Sequence, residues 1–397
     1  MTRSYRYISG DSHVEVKSDF WLDRVPEKYR NQAPHVIQLP DGSDAWLIEG
    51  QPLRTPSFDL YGGKGREVWF PFGQNYVSTP GTGDAHQRLR EQDRDGIDAE
   101  ILFPNQACGP YLWRNIRDDN AYKATVRAYN DWLAEDYCSA DPERLLGLGI
   151  IPQTNLQDAL DEMQHIAKLG LKGVTLGIFP SGKGYPTPED DVFWKAALDM
   201  KMPITVHIEF NRTGPRGGPL MKYAKELPGR ERLGDNADLV FQVNRFGRLG
   251  SLNAVQMVLT RVFERFPDLK LFFAETQIGW IPWFAEQSDI RYGRHWYWAS
   301  KLNEWEPLPK LPTEYVRDHI YWGFQEDRVG VDLRHHKYMR VDRLIWATDF
   351  PHQESEYPNS MRVLDEVFEG VSADEKKKIV AGNVIEFFHL DATVADE

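Results

Sequence analysis

The sequence predicts a (β/α)8 barrel, a single α/β domain with long insertions over the carboxyl ends of its strands. Three observations carry this expectation. Eight short apolar runs alternate with helix-period segments, and that alternation signals a parallel sheet with helical crossovers. No composition break or fixed-period repeat divides the 397 residues, a length that barrels with insertions reach as one unit. Histidines and carboxylates recur just after several of the apolar runs, where an α/β barrel faces its ligand. A doubly wound open sheet is the other architecture the same alternation allows.

The run 5–9 is β-prone and leads into Gly10, Asp11, Ser12 and His13, so it reads as the first strand with polar residues at its exit. Residues 14–87 form an irregular insertion rich in Pro and Gly. Within it, 35–39 and 45–49 flank Pro40-Asp41-Gly42, the pattern of an antiparallel hairpin. An insertion of this length commonly serves as a lid or pocket wall. Residues 88–95 predict a helix, and 99–103 a strand stopped by Pro104. Tyr122, Val126, Tyr129, Leu133 and Tyr137 keep helical spacing and place a helix over 120–138. A strand over 145–151 ends at Pro152. The helix at 156–169 is stopped by Gly170, and a fourth strand follows at 173–176.

A helix over 190–200 precedes the fifth strand, 204–208, which carries His207. The segment 211–236, with five Gly and three Pro, is a second long loop. A helix over 251–266 closes at Pro267, and the sixth strand, 269–274, is followed directly by Glu275. The helix at 282–298 is heavy with aromatics, a short seventh strand spans 320–322, and a helix covers 326–338. The eighth strand, 344–348, is a continuous apolar run of the kind helices cover on both faces. It ends in Asp349, Phe350, Pro351 and His352. Helices at 358–369 and 373–380 complete the domain, and 390–397 reads as a loose tail.

The net charge of -13 argues against nucleic acid or an anionic membrane as partner, since both select basic surfaces. The 13% aromatic content, with 13 Trp, is high enough that some rings should line a pocket for a small-molecule substrate. Cys108 and Cys138 are too few for a disulfide framework or a cysteine zinc site, and two reduced core thiols are expected. The first 19 residues hold no apolar signal core, and no stretch of about 18 apolar residues exists to span a membrane. A cytoplasmic enzyme, assembled as a homo-oligomer, is expected.

Side chains at i and i+2 share a strand face, so Asp11 and His13 project together, as do His207 and Glu209. Glu275 ends strand six, Asp349 ends strand eight, and His352 lies three residues on. Singly, each has a bland use: a satisfied core histidine, a helix-cap companion, a loop cap. Gathered at the exits of strands one, five, six and eight, they make a rim of imidazoles and carboxylates, the groups divalent metals bind. The candidate ligands are Asp11, His13, His207, Glu275 and Asp349.

Asp11-Ser12-His13-Val14-Glu15, Val206-His207, Glu275-x-x-Ile278-Gly279-Trp280-Ile281-Pro282 and Trp346-Ala347-Thr348-Asp349-Phe350-Pro351-His352 resemble the amidohydrolase superfamily. The resemblance is to its second large branch, which includes aminocarboxymuconate-semialdehyde decarboxylase and the resorcylate-type decarboxylases. Gly382-Asn383 followed by Phe387-Phe388 is similar to that branch's C-terminal helix. The resemblance implies that Asp11 and His13 are the strand-one metal ligands, His207 the strand-five ligand, and Asp349 a strand-eight ligand that also handles protons. The chain departs from the family pattern in three places. Asp11 stands where the first histidine of a His-x-His is common, and Glu275 where strand six usually ends in His. Leu176, Gly177 and Ile178 offer no bridging group on strand four.

The expected function is that of a metal-dependent hydrolase or non-oxidative decarboxylase acting on a bulky apolar or aromatic carboxylate. Asp349 and His352 are the candidate catalytic groups, with Asp349 carrying the proton. Trp280, Tyr292, His295 and Trp296 are candidates for substrate binding, while neighbouring Trp283 reads as a core-packing residue. Hard oxygen donors and the lack of a thiolate favour iron or manganese over zinc, with one or two ions. The same carboxylate-rich inventory also suits a non-heme diiron oxygenase on this barrel. A non-catalytic binding protein is a third option, against which the intact ligand set counts.

Overall fold

The computed structural model describes residues 2–52, 60–69, 75–77, 79–104, 114–210 and 250–395. Eight parallel strands form the core: Ile8–Val14, Ala99–Pro104, Leu145–Ile150, Gly173–Thr175, Ile204–His207, Leu271–Ala274, Ile320–Phe324 and Leu344–Trp346. Each pairs with its successor in chain order, as right-handed crossovers through outer helices require. The eighth returns to the first, where Asp349 N donates to Asp11 O at 2.9 Å and His13 N to Phe350 O at 2.8 Å. The fold is the expected (β/α)8 barrel and not the open sheet.

Alternation along the strands sorts the core into two layers. Ile8, Ile101, Phe103, Leu148, Phe272 and Ile345 fill the inside, and Val174, Ile204, Phe273, Trp322 and Trp346 meet the outer helices. Phe387 and Phe388 join the inner layer against Phe272, at centroid distances of 5.8 and 6.2 Å. Burial of each ring contributes about 2–3 kcal/mol. Asn383, fully buried, donates to Leu344 O and Val341 O and pins this last helical segment to the eighth strand.

Several elements differ from the sequence expectation. The first barrel strand runs over Ile8–Val14, so Asp11 and His13 lie within it and not beyond its exit. Tyr5 belongs to a separate strand, Arg3–Tyr5, paired in parallel with Ala392–Val394. The tail is therefore tied down as far as Ala395, whose amide donates to Tyr5 O at 2.8 Å. The segment 251–266 splits into Ser251–Leu259 and Val262–Arg265, because Arg261 adopts a left-handed backbone with φ 60°. In 326–338 only Arg328–Asp332 is helical. Its cap, Asp327, also accepts from the Ile278 and Gly279 amides, which fixes this short helix to the loop after strand six. The aromatic helix extends beyond 282–298 at both ends, to Ile281–Asn303.

The expected hairpin forms, with His35–Gln38 antiparallel to Asp44–Ile48, and Gln51–Pro52 adds a third strand. Trp46 and Ile48 are buried in the main core, so the hairpin is anchored and not a free flap. The long loop 211–236 and Cys108 lie outside the described residues. Cys138 is a buried free thiol, and burial pushes its pKa up to about 12. Among the described residues no helix is long and apolar enough to cross a membrane.

Candidate metal centre

Strand ends bring the polar residues together. In the first strand, pairing with the second shifts register between Ser9 and Ser12, and such a bulge re-aims the side chains that follow. Strand five ends at His207, and Ile208 then turns through a left-handed conformation with φ 67°. Glu275 and Asp349 are themselves left-handed, at φ 55° and 53°. Non-glycine residues hold that conformation at a cost of about 1–3 kcal/mol, and such positions cluster at functional sites.

The side chains form one alternating chain of acids and imidazoles. Glu15 Oε1 accepts from His352 Nε2 at 3.1 Å, and His352 Nδ1 lies 3.0 Å from Asp349 Oδ1. Asp349 Oδ1 is 3.2 Å from His13 Nε2, which is 3.5 Å from Asp11 Oδ1. Asp11 Oδ2 is 3.7 Å from His207 Nε2, which is 3.4 Å from Glu275 Oε2. All are buried except His207, whose side chain keeps 14% exposure. Ligand atoms of Asp11, His13, His207 and Asp349 lie within 4.8 Å of one another, the spacing of groups around one cation.

His13 is oriented for ligation. Its Nδ1 donates to Pro104 O at 3.1 Å, which leaves the Nε2 lone pair facing Asp11, Asp349 and His207 Nε2, the last at 3.0 Å. Burial, with His352 beside it, lowers the His13 pKa and keeps the imidazole neutral, as a metal ligand must be. Burial opposes ionisation of Asp349, but His352 and His13 outweigh it and hold the carboxyl well below the usual range. Two imidazole nitrogens with two carboxylates suit a six-coordinate divalent cation that takes hard oxygen donors. A second group of close ligand atoms, His13, Glu15 and His352, has another explanation. The His352 ring stacks on His13 at 3.9 Å, and both of its nitrogens are already engaged by carboxylates.

Residues 70–390 match the family model described as amidohydrolase. The chain belongs to the amidohydrolase family. It is 24% identical over 312 residues to the 2-amino-3-carboxymuconate-6-semialdehyde decarboxylase of Dictyostelium discoideum, covering 78% of this chain and 77% of that one. An amidohydrolase from Mycobacterium avium subsp. paratuberculosis has the same fold, with a TM-score of 0.71 at 18% identity, over 97% of this chain and 99% of that one. So has the 5-carboxyvanillate decarboxylase of Novosphingobium aromaticivorans, solved with manganese and 3-methoxy-4-hydroxy-5-nitrobenzoic acid. Its TM-score is 0.62 at 16% identity, over 98% and 100% of the two chains.

In this amidohydrolase, four of the five ligand candidates converge, and Glu275 meets the set beside His207. His352, expected as a catalytic group, sits behind Asp349. The aromatic candidates do not join the centre. Trp280 packs in the outer layer, 5.3 Å from Trp322, with Nε1 donating to Thr276 O at 2.9 Å. Tyr292, His295 and Trp296 lie about 18–24 Å further along the helix axis, and none has a described contact with the cluster. Tyr292 Oη instead accepts from Leu308 N, and His295 Nδ1 from Trp298 Nε1. Trp283 is 66% exposed and so is not core. Glu15 is the functional candidate that sequence reasoning did not assign. The alternation that paired Asp11 with His13 continues to it two residues on.

Proposed function

We propose that this amidohydrolase is a metal-dependent decarboxylase that removes carbon dioxide, without redox change, from a bulky aromatic or apolar acid. The observation that carries the proposal is the buried Asp11–His13–His207–Asp349 set. The decarboxylase relatives support it. Asp11, His13, His207 and Asp349 would hold a divalent ion, and Glu275 beside His207 offers a donor for a second. Bound there, the ion supplies Lewis-acid polarisation of a substrate oxygen. Manganese or iron is favoured over zinc by the oxygen-rich donor set, and the manganese in the Novosphingobium enzyme supports the former.

The chain's own residues handle the proton. When the bond between the substrate carbon and its carboxylate breaks, the electron pair stays on carbon and a proton must take its place. Asp349, ionised at rest, relays that proton to the carbon at the strand-eight exit. His352, at 3.0 Å, resupplies Asp349 and is held in turn by Glu15. The insertion 14–87 closes over the mouth in this reading, and Gly62 N donating to Pro351 O ties it to the strand-eight loop. Trp283, Tyr297 and Trp298, exposed on Ile281–Asn303, are the surface a homo-oligomer would cover.

The test is reconstitution of metal-free protein with Mn(II). Carbon dioxide release is followed from 2,6-dihydroxybenzoate, 5-carboxyvanillate and related acids, with ester hydrolysis and oxygen uptake measured in parallel. Hydrolysis without carbon dioxide release would overturn the proposal. The acid-rich donor set favours one second reading, a non-heme iron oxygenase, and oxygen uptake coupled to product with Fe(II) alone would put it first.

A further inference from the structure

The ring of strands has one joint unlike the others. Seven neighbouring pairs are parallel ladders, the first of them with the register shift between Ser9 and Ser12. Among the described residues the eighth and first strands share no such ladder. They are joined by Asp349 N to Asp11 O, by His13 N to Phe350 O, and by a hydroxyl cluster in which Thr348 N donates to Ser9 Oγ at 2.9 Å. This joint carries Asp11 and His13 on one side and Asp349 on the other, so its width sets the spacing of three of the four ligands.

One side chain from outside the centre crosses the joint. Arg88, on the helix Ala85–Asp95, is 1% exposed. Its Nη1 donates to His13 O at 3.0 Å and its Nη2 to Phe350 O at 3.2 Å. Glu100, on the second strand, aims the guanidinium with two parallel bonds, from Nε at 2.6 Å and Nη2 at 3.1 Å. Gln92 holds Glu100 in place at 2.7 Å. The guanidinium also lies over the Phe350 ring, 4.5 Å from its centroid.

We propose that Arg88 is a positioning residue for the metal centre, a clamp that fixes the strand-one and strand-eight ligands at the separation a cation requires. A buried ion pair alone does not explain it, since well-packed apolar residues often replace such pairs without loss of stability. Apolar residues cannot donate to two carbonyls on two ligand-bearing segments. The planar fork of arginine can, and a lysine, with a single point charge, cannot span both while it pairs with Glu100. Support behind the ligands commonly governs metal affinity by 10–100-fold. The clamp rests on the metal reading of the centre, and not on decarboxylation.

The experiment measures Mn(II) affinity and metal-free thermal stability side by side. The variants are Arg88→Lys and the double variant Arg88→Met/Glu100→Gln, which removes both buried charges. A control, Arg334→Met/Glu375→Gln, removes an arginine–glutamate pair elsewhere on the molecule, in which Nε and Nη2 share one carboxylate oxygen. The expected result is a folded double variant whose Mn(II) Kd rises about tenfold or more. Arg88→Lys should give a smaller rise, and the control an unchanged Kd. Wild-type affinity in a folded double variant, or an equal rise in the control, overturns the clamp. If the double variant does not fold, Arg88→Lys decides: raised Kd at unchanged stability supports the clamp, and wild-type Kd overturns it. If the wild type takes up no Mn(II), Fe(II) or Zn(II), the metal centre falls and the clamp with it. If it binds metal but releases no carbon dioxide, only the decarboxylase reading falls.

Discussion

Replacing Asp349 with Asn separates chemistry from folding at the centre. The carboxyl Oδ1 faces His352 Nδ1 at 3.0 Å and His13 Nε2 at 3.2 Å. Asn keeps one carbonyl oxygen but loses the charge and the ability to carry a proton. Turnover should fall by at least about three orders of magnitude, equal to roughly 4 kcal/mol of barrier, because proton delivery and a ligand's charge go together. The structural cost is smaller. The charged hydrogen bond with His352 becomes a neutral one at a cost of at most about 1.5–3 kcal/mol, and in a domain this large that lowers Tm by no more than about 10 °C. In metal-free protein the fall should be smaller still, because one of several crowded acids is gone. The assay pairs thermal unfolding, with and without Mn(II), with initial rates of carbon dioxide release. Near-native turnover by a folded Asp349→Asn protein would remove this residue from the mechanism.

Metal-free protein should regain activity with Mn(II) or Fe(II), and full activity with zinc alone would refute the hard-donor argument. Chelation should lower Tm, because an ion at 100 times its Kd stabilises by about 2.7 kcal/mol, and an unchanged melt would count against a bound ion. Trp46→Ala should cost about 3–5 kcal/mol in urea unfolding, since the indole is 1% exposed and its Nε1 donates to Tyr76 Oη at 2.6 Å. His319 donates to Leu269 O at 2.8 Å, and burial holds its pKa down to about 4. The unfolded chain therefore takes this proton first, near pH 6.5, so its share of stability is full above that pH and is lost as pH falls towards about 4. His319→Gln should flatten that limb of the urea midpoint against pH, and parallel curves for the two proteins would sink the idea.

The barrel was legible because apolar runs, proline stops and helical spacing mark its layers in the sequence. Leu344–Trp346 and Leu271–Ala274 fall inside the strands expected from those signals alone. The candidate ligands were legible because strand ends are fixed by the fold, so acids and histidines gathered at four of them have few other uses. What the pattern hides is the third dimension. The polar residues Asp11, Ser12 and His13 read as an exit loop, yet they are strand, because their hydrogen bonds go to the neighbouring strands while their side chains meet within the site. Ala392–Val394 reads as a loose end because nothing local announces its partner, Arg3–Tyr5, at the far end of the chain. The aromatic helix misleads for a similar reason. Proximity in sequence to strand six suggests a pocket wall, but a straight helix carries residues 292–296 away at about 1.5 Å each. Arg88 stands in a strongly polar helix, beside Gln92 and Asp95 on its buried face, and only its partners distinguish it from a surface residue.

The spacing within the acid–imidazole chain divides the labour of the centre. Contacts from Glu15 through His352 to Asp349 are 3.0–3.1 Å, hydrogen-bond lengths. From Asp349 through His13, Asp11 and His207 to Glu275 they are 3.2–3.7 Å, spacings suited to donors that face a common cation. In the proposed reading the tight end would hold a proton and the open end a metal ion, with Asp349 at the junction. Charge sets the count of ions. Four carboxylates with neutral imidazoles sum to -4 if all are ionised, a charge that a buried site cannot keep. One dication leaves -2, so a one-metal centre is neutral only with two protons retained on the chain, and the tight end is where they would sit. Two dications need none. Loading metal-free protein at several pH values and titrating released protons against bound Mn(II) separates the two cases. A one-to-one complex that retains protons near neutral pH fits a mononuclear decarboxylase with its proton already in place. A two-to-one complex with full proton release assigns Glu275 to a second ion and leaves Asp349 with no stored proton to relay.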